Sequence, residues 1–382
     1  MEIFRSIRNL LRFGSSRFDG PLLFFMFLLF GMGIIVMFSA SVIPAEREFS
    51  DSYYYLRKQL LWGAVGVVLF LIFCQIPYQF LVKWSFVFSL LSLLLLVAVF
   101  IPGLGKSVGT SYGRSFNRWI QIAGFQIQPS EFSKISILLF ASYFFYNFDF
   151  KKIKWDRKKI VSLVVIFLTL LLIVIEPAFG TTVELLLVLF FFVLLAGFPM
   201  KRLFILGASV IPLLVVLVTQ VGYRKKRLEI WLDPYKFRFD EGHQLVTSFR
   251  AFFDGGTSGK AIGTGYAHRY LAYSHTDFVL SSYVEDFGFV GFCFFLLVVL
   301  FLMVRIFLLL QRTKDKLGYF LGAGILILFG FQTILNLFVI TGIVPVTGIS
   351  LPFLSYGGSS LLTIFILFGI LANITCKENL VV

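Results

Sequence analysis

Charged residues vanish from this chain for about twenty positions at a time and then return in clusters. The first such tract, "PLLFFMFLLFGMGIIVMFSA" (Pro21 to Ala40), is apolar around nearly its whole helical circumference. An α-helix rises ~1.5 Å per residue, so about twenty residues cross a hydrocarbon core of ~30 Å. Ten tracts suit a tilted helix: 21–42, 59–76, 84–101, 131–147, 160–176, 182–198, 203–221, 278–304, 317–340 and 359–375. The pattern predicts an all-α integral membrane protein of about ten transmembrane helices. The first tract is long enough to span and no small-residue cleavage site follows it, which predicts a retained span. Neither an internal repeat nor a Pro/Ser-rich linker divides the chain. Residues 1–382 therefore read as one polytopic domain, with a large loop, 222–277, between helices 7 and 8.

Two segments between tracts carry patterns of their own. In "HQLVTSFRAFF" (His243 to Phe253), Leu245, Val246, Phe249, Phe252 and Phe253 share one helical face. That predicts an amphipathic helix lying on the outer leaflet. The segment "TGIVPVTGISLPFLSYGG" (341–358) has no charge, two prolines and four glycines. Irregular apolar backbone of this kind is tolerated at membrane depth where it packs in protein or lines a wet cavity.

Charge then orients the spans. With the N-terminus inside, the inner segments hold 18 Lys and Arg and the outer segments 15, nine of them in the long loop. Long loops cross largely regardless of charge, and without this one the contrast is 18 to 6, so both termini are expected in the cytoplasm. The net charge of +14 is then explained by topology-setting loops, and nucleic acid is not an expected partner. The chain is 58% hydrophobic and 14% charged, far from a soluble domain. Cys74, Cys293 and Cys376 lie in or beside apolar tracts and support neither a disulfide framework nor a zinc site.

Against so apolar a background, ionisable residues in spans are candidate functional groups. Glu131 and Lys134 stand at i and i+3 and are spaced to pair. Asp277, Glu285 and Asp286 crowd the stretch "HTDFVLSSYVEDFG". On a continuous helix at ~100° per residue, Asp277, Ser281, Gly288 and Gly291 fall within roughly 40° of one face. That is a groove of small residues with a carboxylate at its outer mouth. Glu285 then lies ~80° away and ~12 Å deeper, and Asp286 points to the opposite side, so both read as buried supports. A helix-capping role for Asp277 is equally open on spacing alone. The basic run "YRKKR" (Tyr223 to Arg227) suits either anionic headgroups or a phosphorylated lipid. "GGTSGKAIGTG" imitates a phosphate loop but lacks its opening glycine, at Asp254, and its Ser/Thr, at Ala261. His243, His268 and His275 match no ligand spacing, so no metal site is assigned.

Several segments together resemble one family. "ISLPFLSYGGSSLL" (Ile349 to Leu362), "RWIQIAGFQIQPSEFSKI", "GHQLVTSFRAFFDGG", "HTDFVLSSYVEDFG", "FDGPLLFF", "FSAS" and "YLRKQLLW" are similar to the hallmarks of the SEDS proteins, the FtsW/RodA family of shape, elongation, division and sporulation. The resemblance covers nearly the whole chain. It implies a ten-span fold in the cytoplasmic (inner) membrane and a glycosyltransferase that polymerises lipid II, an undecaprenyl-diphosphate-linked disaccharide pentapeptide, into glycan strands outside that membrane. "GHQLVTSFRAF" looks closer to the division type, FtsW, than to the elongation type, RodA.

Matched motif by motif, the resemblance makes Asp277 the catalytic base, which takes the proton of the acceptor hydroxyl in an inverting displacement. Arg118, Lys225, Lys226, Arg227, His275, Ser355 and Ser359 become substrate-binding candidates. Glu131, Lys134, Glu285 and Asp286 become supporting residues. The resemblance implies no definite cofactor; a divalent cation, magnesium or manganese, is the candidate aid to the diphosphate. The implied partners are lipid II, a class B penicillin-binding transpeptidase and other membrane proteins of the division or elongation machinery. The chain departs from the pattern at "EPAFGT", where Ala178 replaces an acid and Glu176 replaces a Gln, at His243 in "GHQ", and at Asp286 and Phe287 in "EDFG". The competing classes are an elongation-type polymerase, a lipid II flippase and a non-catalytic division scaffold.

Overall fold

The computed structural model describes residues 18–109, 115–122, 125–146, 148, 157–176, 178–203, 205, 222–240, 242–271 and 274–376. Among these, helices occupy nine of the ten expected positions. The remaining tract, 203–221, lies almost wholly outside the described residues. In chain order the elements begin with α1 (Gly20–Phe49), α2 (Tyr54–Gln75), α3 (Tyr78–Lys83) and α4 (Ser85–Ala98). A small sheet follows: β1 (Gly105–Gly109), β2 (Ser115–Ile122) and β3 (Phe125–Ile127). Next come α5 (Pro129–Phe145), α6 (Arg157–Ile175) and α7 (Phe179–Leu195). The long loop holds α8 (Gly222–Leu232), α9 (His243–Gly255) and α10 (Ala267–Tyr270). The chain ends in α11 (Val279–Gln311), α12 (Lys316–Ile340) and α13 (Gly358–Ile374). Of these, α1, α2, α11 and α12 are each long and apolar enough to cross a membrane, and α4, α13 and most of α6 and α7 are shorter apolar helices.

Helix starts are set by local chemistry. Asp19 caps α1 by accepting from Leu22 N at 2.9 Å, with Pro21 in the first turn. The same carboxylate receives two bonds from the Arg305 guanidinium, which ties the start of α1 to α11. Asp315 caps α12 through Leu317 N and Gly318 N and also accepts from Tyr78 OH at 2.9 Å. Helices then pack through small residues, as expected where lipid offers no hydrophobic drive. A Cβ on Gly33 of α1 would stand 2.3 Å from Phe353 O, so only glycine lets the 341–358 segment lie this close.

The sheet departs from the all-α expectation. β1 and β2 pair antiparallel with Gly105 opposite Ile120, and β2 and β3 with Ile120 opposite Ile127. "SFNRWIQI" is rich in the aromatic and β-branched residues that favour a strand. A segment between spans must still pair its backbone groups, and here it does so as a sheet.

Inside the bundle, Glu131 and Lys134 pair at 2.9 Å. Glu184 of α7, which the sequence pattern did not single out, meets Lys134 at 3.0 Å. All three are buried, so one ammonium on α5 neutralises two carboxylates, and the bond to Glu184 holds α5 to α7. Ser92 and Ser133 exchange a 2.7 Å bond that joins α4 to α5.

The helix α11 is broken at Gly288, whose φ of 65° and ψ of −165° are non-helical. A Cβ there would lie 2.3 Å from Gly259 N and 2.6 Å from Thr257 O. Before the break, Val279 to Asp286 are all buried in protein. After it, exposed apolar side chains begin at once with Phe289, Val290, Phe294 and Leu297. The part of α11 suited to lipid therefore starts at the kink.

Two outcomes are expected. Lys134→Met leaves Glu131 and Glu184 buried without their cation and lowers stability by about 3–5 kcal/mol. Thermal unfolding in detergent checks this, and an unchanged midpoint would show that the triad holds nothing together. Gly288→Ala forces a side chain into a glycine-only conformation and costs about 1–3 kcal/mol before its clash with Gly259 is counted. The same unfolding measurement should rank it well below a Gly20→Ala control, whose Cβ meets nothing within 4 Å.

Candidate functional site

The site forms where the turn 274–278 meets the uncharged 341–358 segment. Three successive carbonyls of the turn are each taken by a donor. Tyr356 N donates to His275 O at 2.8 Å. Ser355 Oγ donates to Thr276 O at 2.7 Å and accepts from Leu351 N at 2.7 Å. Asn336 Nδ2, buried on α12, donates to Asp277 O and to Ile349 O, both at 2.8 Å. One turn earlier on α12, Gln332 Nε2 donates to Ser350 O at 2.9 Å. These bonds satisfy irregular backbone deep in an apolar protein and fix where Asp277 stands.

Two cations reach this place from separate elements. Arg227 on α8 donates from Nη1 to Val346 O at 3.0 Å, and Trp231 Nε1 to Gly342 O at 2.8 Å, so α8 is strapped to the 341–358 segment. Arg118 comes from β2. Asp277 is half-buried and lies before the first residue of α11. Burial raises its carboxyl above the usual range, while Arg227 and Arg118 pull it down, and the balance is about 6. The carboxylate also lies close to the 341–358 backbone, with Oδ2 3.4 Å from the position of a Cβ on Gly348.

The other sequence candidates are placed as follows. His275 is buried, stacked on Tyr55 at 4.3 Å and edge-on to Tyr356 at 5.8 Å. Burial lowers its pKa to about 4, so it is a neutral ring wedged behind the turn. Ser355 is a backbone clamp, and Ser359 Oγ accepts from Gln128 N at 2.9 Å, so neither hydroxyl is idle. Lys225 is exposed and pairs with Glu229 at 4.0 Å. Lys226 is half-buried on the same helix. Ala178 sits in an apolar cluster with Leu96, Ile137, Ile173 and Leu185. Glu176 accepts from Ser130 Oγ at 3.3 Å and lies within electrostatic reach of Arg118.

Two geometric expectations are corrected. Asp277 is in a turn and Gly288 is non-helical, so Asp277, Ser281, Gly288 and Gly291 do not form one small-residue face. Thr257 and Gly259 fill the space at Gly288, and Ser248 Oγ bonds Ser281 Oγ at 2.7 Å, which leaves no lipid groove there. Helical extrapolation fails across a residue with positive φ. Glu285 and Asp286 are buried as expected but are not deep in lipid, since the long loop wraps them. Glu285 takes the amides of Tyr266 and Ala267 at 2.6 and 2.7 Å and so caps α10. Asp286 accepts from Ser39 Oγ at 2.5 Å and Gly263 N at 3.2 Å, and lies 2.8 Å from His268 Nε2. Lastly, α9 packs Leu245, Thr247, Ser248, Ala251 and Gly255 inward and leaves Phe253 85% exposed. Its buried face meets α11 through Ser281 and Val284, where small residues permit close approach, while Val246, Phe249, Phe252 and Phe253 of the expected apolar face stay partly or fully exposed.

Ser39, His268 and Asp286 imitate a nucleophilic triad without its geometry. Both partners approach the same ring nitrogen, and Ser39 donates directly to the carboxylate. As for a cation, one carboxylate between two guanidinium groups is a poor cage for a divalent ion. Among the described residues no cluster of three His, Cys, Asp or Glu supplies one.

A family model described as "Cell cycle protein", covering FtsW, RodA and SpoVE, matches residues 21–380. The chain is 36% identical over 377 residues to a probable peptidoglycan glycosyltransferase FtsW of Trichlorobacter lovleyi, covering 96% of both chains. It is 32% identical over 349 residues to the stage V sporulation protein E of Bacillus subtilis, covering 91% of this chain and 94% of that one. Among solved structures it is similar to a chain of a peptidoglycan synthase complex that coordinates polymerization and crosslinking. That match has a TM-score of 0.77 and 25% identity, and covers 94% of this chain and 97% of the other. It also shares its fold with the rod shape determining protein RodA of Thermus thermophilus, with a TM-score of 0.69, 22% identity and coverage of 95% and 97%. A multi-pass helical architecture, a pinned aspartate between two arginines, and likeness along nearly the whole length agree, and the chain belongs to the FtsW/RodA/SpoVE family of inner-membrane proteins.

Proposed function

We propose that this chain is a division-type peptidoglycan glycosyltransferase that polymerises lipid II at the outer face of the cytoplasmic membrane, with Asp277 as its general base. The names carried by its relatives support the activity and the division role. The observation that carries the chemistry is the Asp277 carboxylate, raised to about 6 and fixed through its own carbonyl. A base should be unprotonated at working pH yet close enough to it to accept a proton readily.

The reaction is one displacement. The acceptor sugar's 4-hydroxyl loses its proton to Asp277 as its oxygen bonds to the anomeric carbon of the donor. The bond from that carbon to the diphosphate breaks, and the electron pair leaves with undecaprenyl diphosphate. Charge grows on the departing diphosphate, and Arg118 and Arg227 are the cations assigned to meet it. Arg227 is anchored to Val346 O, so little reorganisation is needed when charge develops. Lys225, on the exposed side of α8, suits a weaker attraction of the lipid headgroup toward the mouth. The solved complex that unites polymerization with crosslinking supports a class B penicillin-binding transpeptidase as partner.

Asp277→Asn keeps the backbone clamps, since they use the main-chain carbonyl. It should leave an inserted, folded protein whose polymerisation of purified lipid II, with the transpeptidase present, falls by about 10²–10⁴-fold. Near wild-type glycan output would remove Asp277 from the reaction. The pH dependence follows from the same group. The active form is the carboxylate, so kcat/KM should fall about tenfold per pH unit below about 6 and level off above it. A pH–rate profile flat between 5 and 7 would contradict this assignment.

A further inference from the structure

Glu176 is completely buried at the junction of α6 and α7. Its Oε1 accepts from Ser130 Oγ, and its Oε2 has no hydrogen-bond partner among the described residues. Ser130 in turn accepts from Gln128 Nε2 at 3.0 Å, and Gln128 N donates to Ser359 Oγ. A polar chain thus runs from the start of α13, through the β3–α5 junction, to this one acid. The pairing of β2 with β3 sets Ile120 opposite Ile127 and Gln121 opposite Gln126. β3 ends at Ile127, α5 opens at Pro129 and β2 packs against α5, so the strand that carries Arg118 lies against the helix that carries Ser130. That packing and the polar chain together put a buried, half-satisfied carboxylate within electrostatic reach of Arg118, which also acts on Asp277. An uncompensated buried carboxylate is costly, and a neighbouring guanidinium offsets that cost while losing its own freedom.

We infer that Glu176 is a positioning residue, which orients Arg118 toward the diphosphate. Arg118 then stands between two acids: Glu176 fixes it, and Asp277 does the chemistry. The acid at Glu176 acts where the buried, apolar Ala178 cannot. This role rests on the polymerase reading above.

The test is a double-mutant cycle on the purified chain with its transpeptidase, using lipid II as substrate. Glu176→Gln should lower kcat/KM about tenfold in the wild-type background. In an Arg118→Gln background it should lower it by less than about twofold, because the residue it positions is gone. Glu176→Asp, which keeps the charge, should recover most of the loss. A loss of the same size in both backgrounds means a structural role and overturns the inference, as does a full-activity Glu176→Gln. If Glu176→Gln does not accumulate in the membrane, Ser130→Ala replaces it in the cycle under the same criteria, since it removes the hydroxyl that donates to Glu176. A wild-type chain that makes no glycan would instead overturn the polymerase reading, so the two failures are distinct.

Discussion

Three consecutive carbonyls, of His275, Thr276 and Asp277, are held by Tyr356 N, Ser355 Oγ and Asn336 Nδ2, and the rest of the site depends on this stitch. Two irregular segments meet in an apolar environment where every unpaired backbone group is costly, about 1–3 kcal/mol each. Each segment satisfies the other. The turn cannot shift by one residue without releasing several carbonyls together, so the position of Asp277 is set by main-chain bonds rather than by its own side chain. That arrangement leaves the carboxylate available for chemistry. It also explains the sequence of the 341–358 segment. An uncharged stretch with glycines at Gly342 and Gly348, both at positive φ, can supply backbone donors and turns where charged side chains would resist burial.

Much of this was legible in the sequence because hydropathy and length act locally. Nine tracts became helices near their expected positions. The residues around Asp277 were legible through the family resemblance, which placed Arg118 and Arg227 on the same site before geometry could. What the sequence hid was anything that depends on a break in periodicity. The helical wheel that grouped Asp277 with Gly288 assumed one continuous helix, and Gly288 is where that assumption fails. Glu184 was missed because its partner is on another helix, although a lone acid within an apolar tract was itself a signal. Asn336 was missed too. With Gln332 it forms an amide pair at i and i+4 in α12, and two amides on one face of a membrane helix point to a polar partner across it.

The distribution of partners among the buried acids gives an argument for function by difference. Glu131 and Glu184 share the Lys134 ammonium. Both Glu285 oxygens are taken by backbone amides, and Asp286 is engaged by Ser39, Gly263 and His268. Glu176 is held at one oxygen by Ser130. Each of these carboxylates is committed to a contact inside the fold, and protonating any of them would weaken that contact. Asp277 differs in kind. Its carbonyl is bonded, but among the described residues no hydrogen bond to its carboxylate is made, and its interactions there are the fields of Arg227 and Arg118. It is also only half-buried. A group that must take up and release a proton in every cycle needs this condition: a fixed position, an unengaged oxygen and access for the acceptor. The fold thus spends its other buried acids on rigidity and leaves one whose protonation disturbs no contact, which is why the catalytic assignment falls on Asp277 and not on the more deeply buried acids nearby.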